Sequence, residues 1–133
     1  GSDFVALYEP PQPGADPTVW RQVWKTDTSG SAQAVATYDA ETVLVGGHFD
    51  RIAHGPGEQC GSNQVPIGDC LAVSRLAALD RATGVTEAGW RPTPCCAYIG
   101  IWTLAVRSGR VHVGGLFTRI GGVQQANYAR LSP

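Results

Sequence analysis

The chain has 133 residues, 43% of them hydrophobic, which is the usual size of one domain with a single core. Its formal net charge is −1 and its 10 Lys and Arg residues are scattered, so a nucleic-acid partner is not expected. Only 16% of the residues are charged while 17 are Gly, which favours short strands and tight turns over charged helices. No apolar run approaches the roughly 20 residues of a membrane-spanning helix, and no signal-peptide pattern opens the chain.

The predicted elements begin after Gly1-Ser2, which we interpret as a cloning scar. A short apolar phrase at residues 5–8 predicts the first strand, and an alternating phrase at residues 34–37 predicts another after Trp20. VLVGGHFDRI follows at residues 43–52, where the Gly-Gly pair ends a β-branched strand and permits positive φ. The first half of the chain therefore predicts short strands separated by turns.

The same order of phrases returns in the second half of the chain. VHVGGLFTRI at residues 111–120 is identical to residues 43–52 at seven of ten positions, and the phrase at residues 76–79 matches the one at residues 5–8. A third copy of that short phrase stands at residues 128–131. The residues expected to shape the repeat are Gly46, Gly47, Phe49, Gly114, Gly115, Phe117, Trp20 and Trp90.

Each cycle of phrases has room for about four short strands, which is the size of one propeller blade. No convincing helical period extends over eleven residues. The predicted fold is therefore all-β, with two β-propeller-like blades of about four short antiparallel strands each, plus the first strand of a third. The first blade is assigned to residues 3–74 and the second to residues 75–133, within one domain that forms part of a larger propeller.

The two cycles differ in length. Ile52 and Leu76 are 24 positions apart whereas Ile120 and Tyr128 are 8 apart, so the first cycle contains a 16-residue insertion. The insertion falls within residues 53–71, and its Gly, Pro, Asn and Ser residues predict a loop. Because repeats place their individual functions in loops that the copies do not share, we expect this loop to be the functional surface.

The four cysteines are Cys60 and Cys70 in the insertion and the adjacent Cys95 and Cys96. An even count in a Met-free chain favours disulfides and an oxidising compartment, whereas the absence of a C-x-x-C pair disfavours zinc. We favour a Cys60–Cys70 bond together with a vicinal Cys95–Cys96 bond. Cross-pairing of Cys60 with Cys95 and Cys70 with Cys96, bonds across an interface, and free thiols remain alternatives.

The repeat resembles a known family of propeller repeats. Residues 111–131, VHVGGLFTRIGGVQQANYARL, are similar to the delta-sixty-type repeat of bacterial secreted proteins, which runs strand, Gly-Gly, Phe-Thr, short loop and a Leu-Ala-Arg-Leu strand. Residues 43–52 with 76–84 are similar to it around the insertion. The resemblance implies a blade-like β fold in a secreted or cell-surface bacterial protein. It implies no general biochemical activity.

A weaker resemblance links the chain to quinoprotein-type propeller blades. ALDRATG at residues 78–84 with Trp90 resembles their tryptophan-docking phrase, and adjacent cysteines occur beside the quinone in some of these enzymes. The side chains that would hold a quinone and calcium cannot be assembled from two blades, so no cofactor is expected. We interpret Asp80, Thr83 and Gly84 as turn residues instead.

Two groups of side chains are candidates for a site. His48, Asp50 and His54 form a loose metal-ligand pattern, but the second copy has Leu116 and Thr118 at the matching places, so no metal site is expected. Ligand contacts are expected instead from aromatic residues without an equivalent in the other copy and from polar residues of the insertion. These are Trp24, Tyr98 and Trp102, and His54, Glu58, Asn63 and Asp69.

No recognisable catalytic set is present, so an enzyme is not expected. The expected function is a non-catalytic extracellular binding or scaffold module, a segment of a larger propeller that presents loops to a protein or glycan partner. The remaining blades, or other copies of the chain, are the expected structural partners. The alternative is a fragment of a quinoprotein-like or glycan-processing propeller enzyme. Folding of two blades alone, closure as an oligomer and a sandwich all remain open.

Overall fold

A computed structural model describes residues 3–97 and 100–133, and these residues form an all-β structure without a helix. The all-β part of the predicted fold is thereby confirmed. Within the described ranges there is also no apolar helix of membrane-spanning length. The strands are β1 (Asp3–Glu9), β2 (Arg21–Thr28), β3 (Ala32–Thr37), β4 (Thr42–Gly47), β5 (Leu76–Asp80), β6 (Gly100–Arg107), β7 (Arg110–Leu116), β8 (Arg119–Ile120), β9 (Val123–Gln124) and β10 (Tyr128–Leu131).

The strands form small antiparallel sheets. β1 and β2 pair with each other, and we call them the first sheet. β4 lies between β3 and β5 in what we call the middle sheet, and β7 lies between β6 and β10 in the outer sheet. β8 and β9 form a short hairpin. Ser108 and Gly109, both with positive φ, make the two-residue turn between β6 and β7.

The middle sheet is covered on both faces. Successive residues of a strand point to opposite faces, so Leu44 belongs to a buried cluster with Ile101 of the outer sheet, while Val45 belongs to one with Trp24 of the first sheet. In β5 the consecutive residues Leu76, Ala77 and Ala78 are all buried, because each face of the middle sheet is covered by another sheet. The three sheets are therefore stacked in series, with the middle sheet as the central layer. Within the described residues the stack does not close into a ring or a barrel.

The repeated Gly-Gly pair is required by two close approaches. A Cβ on Gly46 would collide with the side chain of Ile101 in the outer sheet, so this glycine lets the two sheets approach. A Cβ on Gly47 would fall on the carbonyl of Ser31, at the β-bulge that begins β3. Gly115 stands in the same relation to the carbonyl of Gly100. In the second copy a Cβ on Gly114 would instead meet the side chain of Thr103 in the same sheet. The requirement that both copies share is therefore strand pairing, and the close approach between sheets belongs to the first copy.

The boundaries predicted from the repeat do not coincide with the sheets. β5 was assigned to the start of the second blade, but it hydrogen-bonds to β4 and completes the middle sheet. β10 was assigned to a third blade, but it pairs with β7 and completes the outer sheet. The boundary between residues 74 and 75 therefore cuts through a sheet, because phrase order in a sequence does not reveal where a cycle of strands begins. The fourth strand expected in the middle sheet is reduced to a bridge between Leu79 and Thr86.

Candidate functional site

The insertion is the enlarged tip of a hairpin. Ile52 and Leu71 exchange two backbone hydrogen bonds of 3.0 and 2.8 Å, and Ile120 and Val123 are paired at the matching place in the second copy. Residues 53–70 thus replace the two-residue turn Gly121-Gly122, a difference of sixteen residues that equals the predicted insertion. After Leu71 the backbone has the same conformation as in the second copy, because Arg75 and the equivalent Asn127 have φ of 65 and 64°.

The loop formed by residues 53–70 is braced from inside. Cys60 and Cys70 form a disulfide, with Cα atoms 5.7 Å apart, which confirms the favoured pairing. Both cysteines are buried with Ala53 in a small cluster of their own. The guanidinium of Arg51 donates to the carbonyl of Cys60 at 2.9 Å. These contacts order a segment that lacks regular strands.

Asn63 fastens the loop to the body of the protein. Its Nδ2 donates to the carbonyl of His48 at 2.7 Å, and its Oδ1 accepts from the Ser29 hydroxyl at 2.6 Å and from the Asp50 N–H at 3.0 Å. Asn63 was predicted to contact a ligand. With both ends of its amide occupied by the protein, it acts instead as a structural residue.

Glu58 closes the first turn of the loop. Its carboxylate accepts from the backbone N–H of His54 at 2.6 Å and lies 2.9 Å from Nδ1 of the same residue. The backbone N–H bond holds the pKa of Glu58 below its ordinary value, and the imidazole contributes in the same direction. Two more of the predicted ligand-binding residues therefore contact each other.

The tip of the loop is exposed and apolar. Val65 and Ile67 expose 68% and 52% of their surface, and Pro66 between them is also exposed. Asp69, predicted to contact a ligand, lies exposed beside them. Nothing in the sequence pattern separated these apolar residues from the polar ones of the same loop. Neighbouring exposed apolar side chains on an ordered loop make this tip a candidate contact surface.

The aromatic residues predicted to contact a ligand differ in exposure. Trp24 is 5% exposed and its Nε1 donates to the carbonyl of Arg81 at 2.7 Å. It is therefore a core residue, and its burial does not support the predicted ligand contact. Trp102 is 50% exposed at the β-bulge of β6, where a ligand could reach it. Tyr98 lies outside the described residues.

The two tryptophans at matching repeat positions also differ. Trp90 is half-buried and packs against the cluster between the middle and outer sheets, as a structural residue should. Trp20 is 56% exposed just before β2, so its predicted packing role is corrected. The first sheet has only two strands in the described chain, which leaves Trp20 without the neighbours that cover Trp90.

The weak metal pattern does not converge. His54 is paired with Glu58, while the carboxylate of Asp50 lies 3.6 Å from the guanidinium of Arg75. Among the described residues no three His, Cys, Asp or Glu side chains are placed to hold a metal ion.

Cys95 and Cys96 form a vicinal disulfide at the surface, and Cys95 exchanges backbone hydrogen bonds with the segment at residues 118–119.

A cleft that the sequence did not predict lies at the end of the middle sheet. It has a volume of about 390 Å³ and is formed where the β3–β4 turn meets the segment that follows β5. Thr42 pairs with Asp80, so antiparallel pairing brings the two turns together. The side chains that line it include two aromatic residues and three carboxylates: Tyr38, Trp90, Glu41, Asp80 and Glu87.

Two of these carboxylates are partly engaged in turns. Asp80 Oδ1 accepts from the backbone N–H and the hydroxyl of Thr83 at 2.8 and 2.9 Å, and the hydroxyl bond holds the pKa of Asp80 below its ordinary value. Glu87 Oε1 accepts from the N–H of Gly89 at 3.0 Å. The predicted turn roles of Asp80 and Thr83 agree with this geometry. A concave site with aromatic walls and acceptor oxygens suits a polyhydroxylated or cationic ligand.

A scan against protein-family models found no match to this chain, and searches of curated proteins and of solved structures found none either.

Proposed function

We propose that this protein is a non-catalytic extracellular binding or scaffold module, a segment of a β-propeller-like stack of sheets. The observation that carries the proposal is the loop at residues 53–70. It is stapled by a disulfide, fastened by Asn63 and exposed at an apolar tip. A pre-ordered loop loses less conformational entropy on binding than a mobile one. Exposed Val and Ile side chains favour a protein partner.

The series arrangement of the sheets supports the scaffold part of the proposal. The middle sheet is buried on both faces as a blade is by its neighbours, while the first sheet has two strands. Further strands added to the first sheet would extend the same packing. The Cys60–Cys70 bond is compatible with an extracellular setting, where disulfides persist.

The experiment removes the apolar tip without touching the core. The chain and a Val65→Ser/Ile67→Ser variant are immobilised and exposed to cell-surface and secreted proteins, and retained proteins are quantified by mass spectrometry. We expect proteins retained by the parent to fall at least about tenfold with the variant, a loss of about 1.4 kcal/mol. Val35→Ser is the matched control, because Val35 is 62% exposed on β3 and lies outside the loop.

Replacing residues 53–70 with Gly-Gly, the turn of the second copy, gives a second variant with the same expected loss. If the serine variant and this replacement both retain every partner of the parent, the loop is not the binding surface. Circular dichroism of each variant verifies that the sheets are intact.

A second candidate function is glycan binding, and the cleft between Tyr38 and Trp90 favours it. Aromatic faces stack on sugar rings and carboxylates accept hydrogen bonds from hydroxyl groups. A glycan array probed with the chain tests this, and a Glu41→Gln/Glu87→Gln variant should lose any signal. Glu9→Gln is the control, since Glu9 lies on β1, outside the lining of this cleft. A signal unaffected by the double variant would place glycan binding elsewhere.

A further inference from the structure

A groove runs beside β10 at the free edge of the outer sheet. Its volume is about 660 Å³, and it lies between residues 128–131 of β10 and the turn at Gly121. Apolar side chains of Ile120, Val123 and Leu131 contribute to its walls. Among the strands that the structure describes, β10 pairs only with β7, so its other edge borders this groove.

The equivalent groove in the middle sheet is filled by the chain itself. The segment Val85–Glu87 lies between β5 and the start of the 53–70 loop, with Thr86 at its centre. Asp80 N donates to the carbonyl of Val85 and Glu87 N donates to the carbonyl of Ala78, both at 2.8 Å.

Thr86 secures the other side of that segment. Its N–H donates to the carbonyl of His54 at 2.8 Å, and its hydroxyl donates to the carbonyl of Ala53 at 2.7 Å. Thr86 is 6% exposed. The protein thus displays how a short strand with a small hydroxyl residue occupies this kind of groove.

The two grooves share one backbone frame. Arg75 N donates to the carbonyl of Phe49, and Asn127 N donates to the carbonyl of Phe117 in the same way. By this frame, Ala78 and Asp80 correspond to Arg130 and Ser132 beside the open groove. Asn127 O accepts from Gly115 N, so by the alternation of strand hydrogen bonds the carbonyl of Arg130 points away from β7.

The open groove differs from the filled one in charge. Arg130 is exposed where the middle sheet has Ala78, and Glu87 lies directly opposite Ala78 in the filled groove. An acidic residue on an incoming strand would therefore lie opposite Arg130. Opposite charges at directly paired positions stabilise strand pairing.

We propose that the edge of β10 binds an extended strand of a partner protein, with a small hydroxyl residue at its centre and an acidic residue next to it. Backbone hydrogen bonds to Arg130 O and Ser132 N would hold the strand, as in β-strand addition at other sheet edges. The proposal rests on the scaffold part of the proposed function and names the kind of partner it takes. It involves no residue of the 53–70 loop, so the Val65→Ser/Ile67→Ser experiment and the one below can fail separately.

The test uses the strand that the protein itself provides. A fluorescein-labelled peptide of residues 82–90, ATGVTEAGW, is titrated with the chain, and binding is followed by fluorescence anisotropy. We expect saturable binding, and loss of binding for a peptide with Glu87→Pro, which removes the N–H that would donate to the carbonyl of Arg130. Arg130→Pro in the protein should also abolish binding, because proline is tolerated on an edge strand but blocks its open side.

A charge exchange keeps the test independent of the proline variant. Arg130→Glu should weaken the parent peptide about three- to tenfold, and a Glu87→Lys peptide should recover that loss. The proposal is overturned if the peptide does not bind, or if Arg130→Pro binds it like the parent. It is also overturned if light scattering shows that the chain forms dimers that Arg130→Pro dissociates, because the occupant would then be a second copy.

Discussion

The middle and outer sheets are two copies of one design with different neighbours. They share the Gly-Gly pair, the buried Phe, the β-bulge in the first strand and a positive-φ residue before the third strand. They differ on the face that is directed away from the first sheet. The middle sheet places Leu44 there, buried against the outer sheet, and the outer sheet places the half-buried His112 at the equivalent position.

Two further positions on this face show the same change. Leu76 and Ala78 are buried in the middle sheet, while Tyr128 and Arg130 are exposed in the outer sheet. His112 Nδ1 lies 2.7 Å from the Tyr128 hydroxyl, so polar contacts replace apolar ones. Both copies therefore keep the residues that the backbone conformation requires. The polarity of a sheet face instead depends on whether another sheet packs against it, as it does in terminal repeats, whose outer face is polar.

The largest expected effect tests what the copies share. Phe49 and Phe117 are both fully buried at equivalent positions. Phe49→Ala and Phe117→Ala should each lower the free energy of unfolding by about 3–5 kcal/mol, because each leaves a cavity. Chemical denaturation measures this, with Phe4→Ala as the exposed control. If one Phe variant costs less than about 1 kcal/mol, that copy is not held by the shared core.

The next prediction tests what differs. Leu44→Ala should lower the free energy of unfolding by about 2–5 kcal/mol. His112→Ala should lower it by less than about 1 kcal/mol, because no other sheet of the described residues packs on its face. Denaturant midpoints of the two variants provide the measurement. Equal losses would mean that the polar face of the outer sheet contributes to folding as the buried face does.

The two disulfides should contribute unequally to stability, because the loops that they close differ in length. Cys60→Ala/Cys70→Ala releases a loop with a sequence separation of 10 and should cost about 2–3 kcal/mol by the chain-entropy model. Cys95→Ala/Cys96→Ala opens no loop of that kind and should cost less than about 1 kcal/mol. Thermal unfolding of both double variants decides this. A larger loss at Cys95 and Cys96 would contradict the loop-entropy explanation.

The smallest expected effect is a pH dependence confined to the first copy. The pKa of Glu58 is lowered in the folded state, so its stabilisation is complete above the ordinary carboxyl value of 4.5 and is lost as the pH falls through the lowered value. Glu58→Gln should lower stability at pH 7 by less than about 1 kcal/mol, the range for exposed pairs, and the difference should vanish at pH 2. The second copy has Gly121-Gly122 there and contributes no such dependence. A difference that persists unchanged at pH 2 would show that the carboxylate charge is not involved.

Features that depend on neighbours along the chain could be predicted from the sequence. The predictions included the strands at residues 43–45 and 111–113 and the 16-residue insertion, and all of these are present. Two-residue alternation and the special φ values of turn residues are local properties, so one sequence reveals them. The repeat added support because each phrase could be compared with its copy.

The neighbours of those features in space could be identified only from the three-dimensional structure. It assigned β5 and β10 to the sheets before them, buried Trp24, exposed Trp20 and made Asn63 a fastening for the loop. It also chose one disulfide pairing among several. Alternation fixes that two faces of a strand differ but not what covers each face, and that depends on residues far apart in the chain. For the same reason the cleft at Tyr38 and Trp90 and the groove beside β10 exist only once the sheets are stacked.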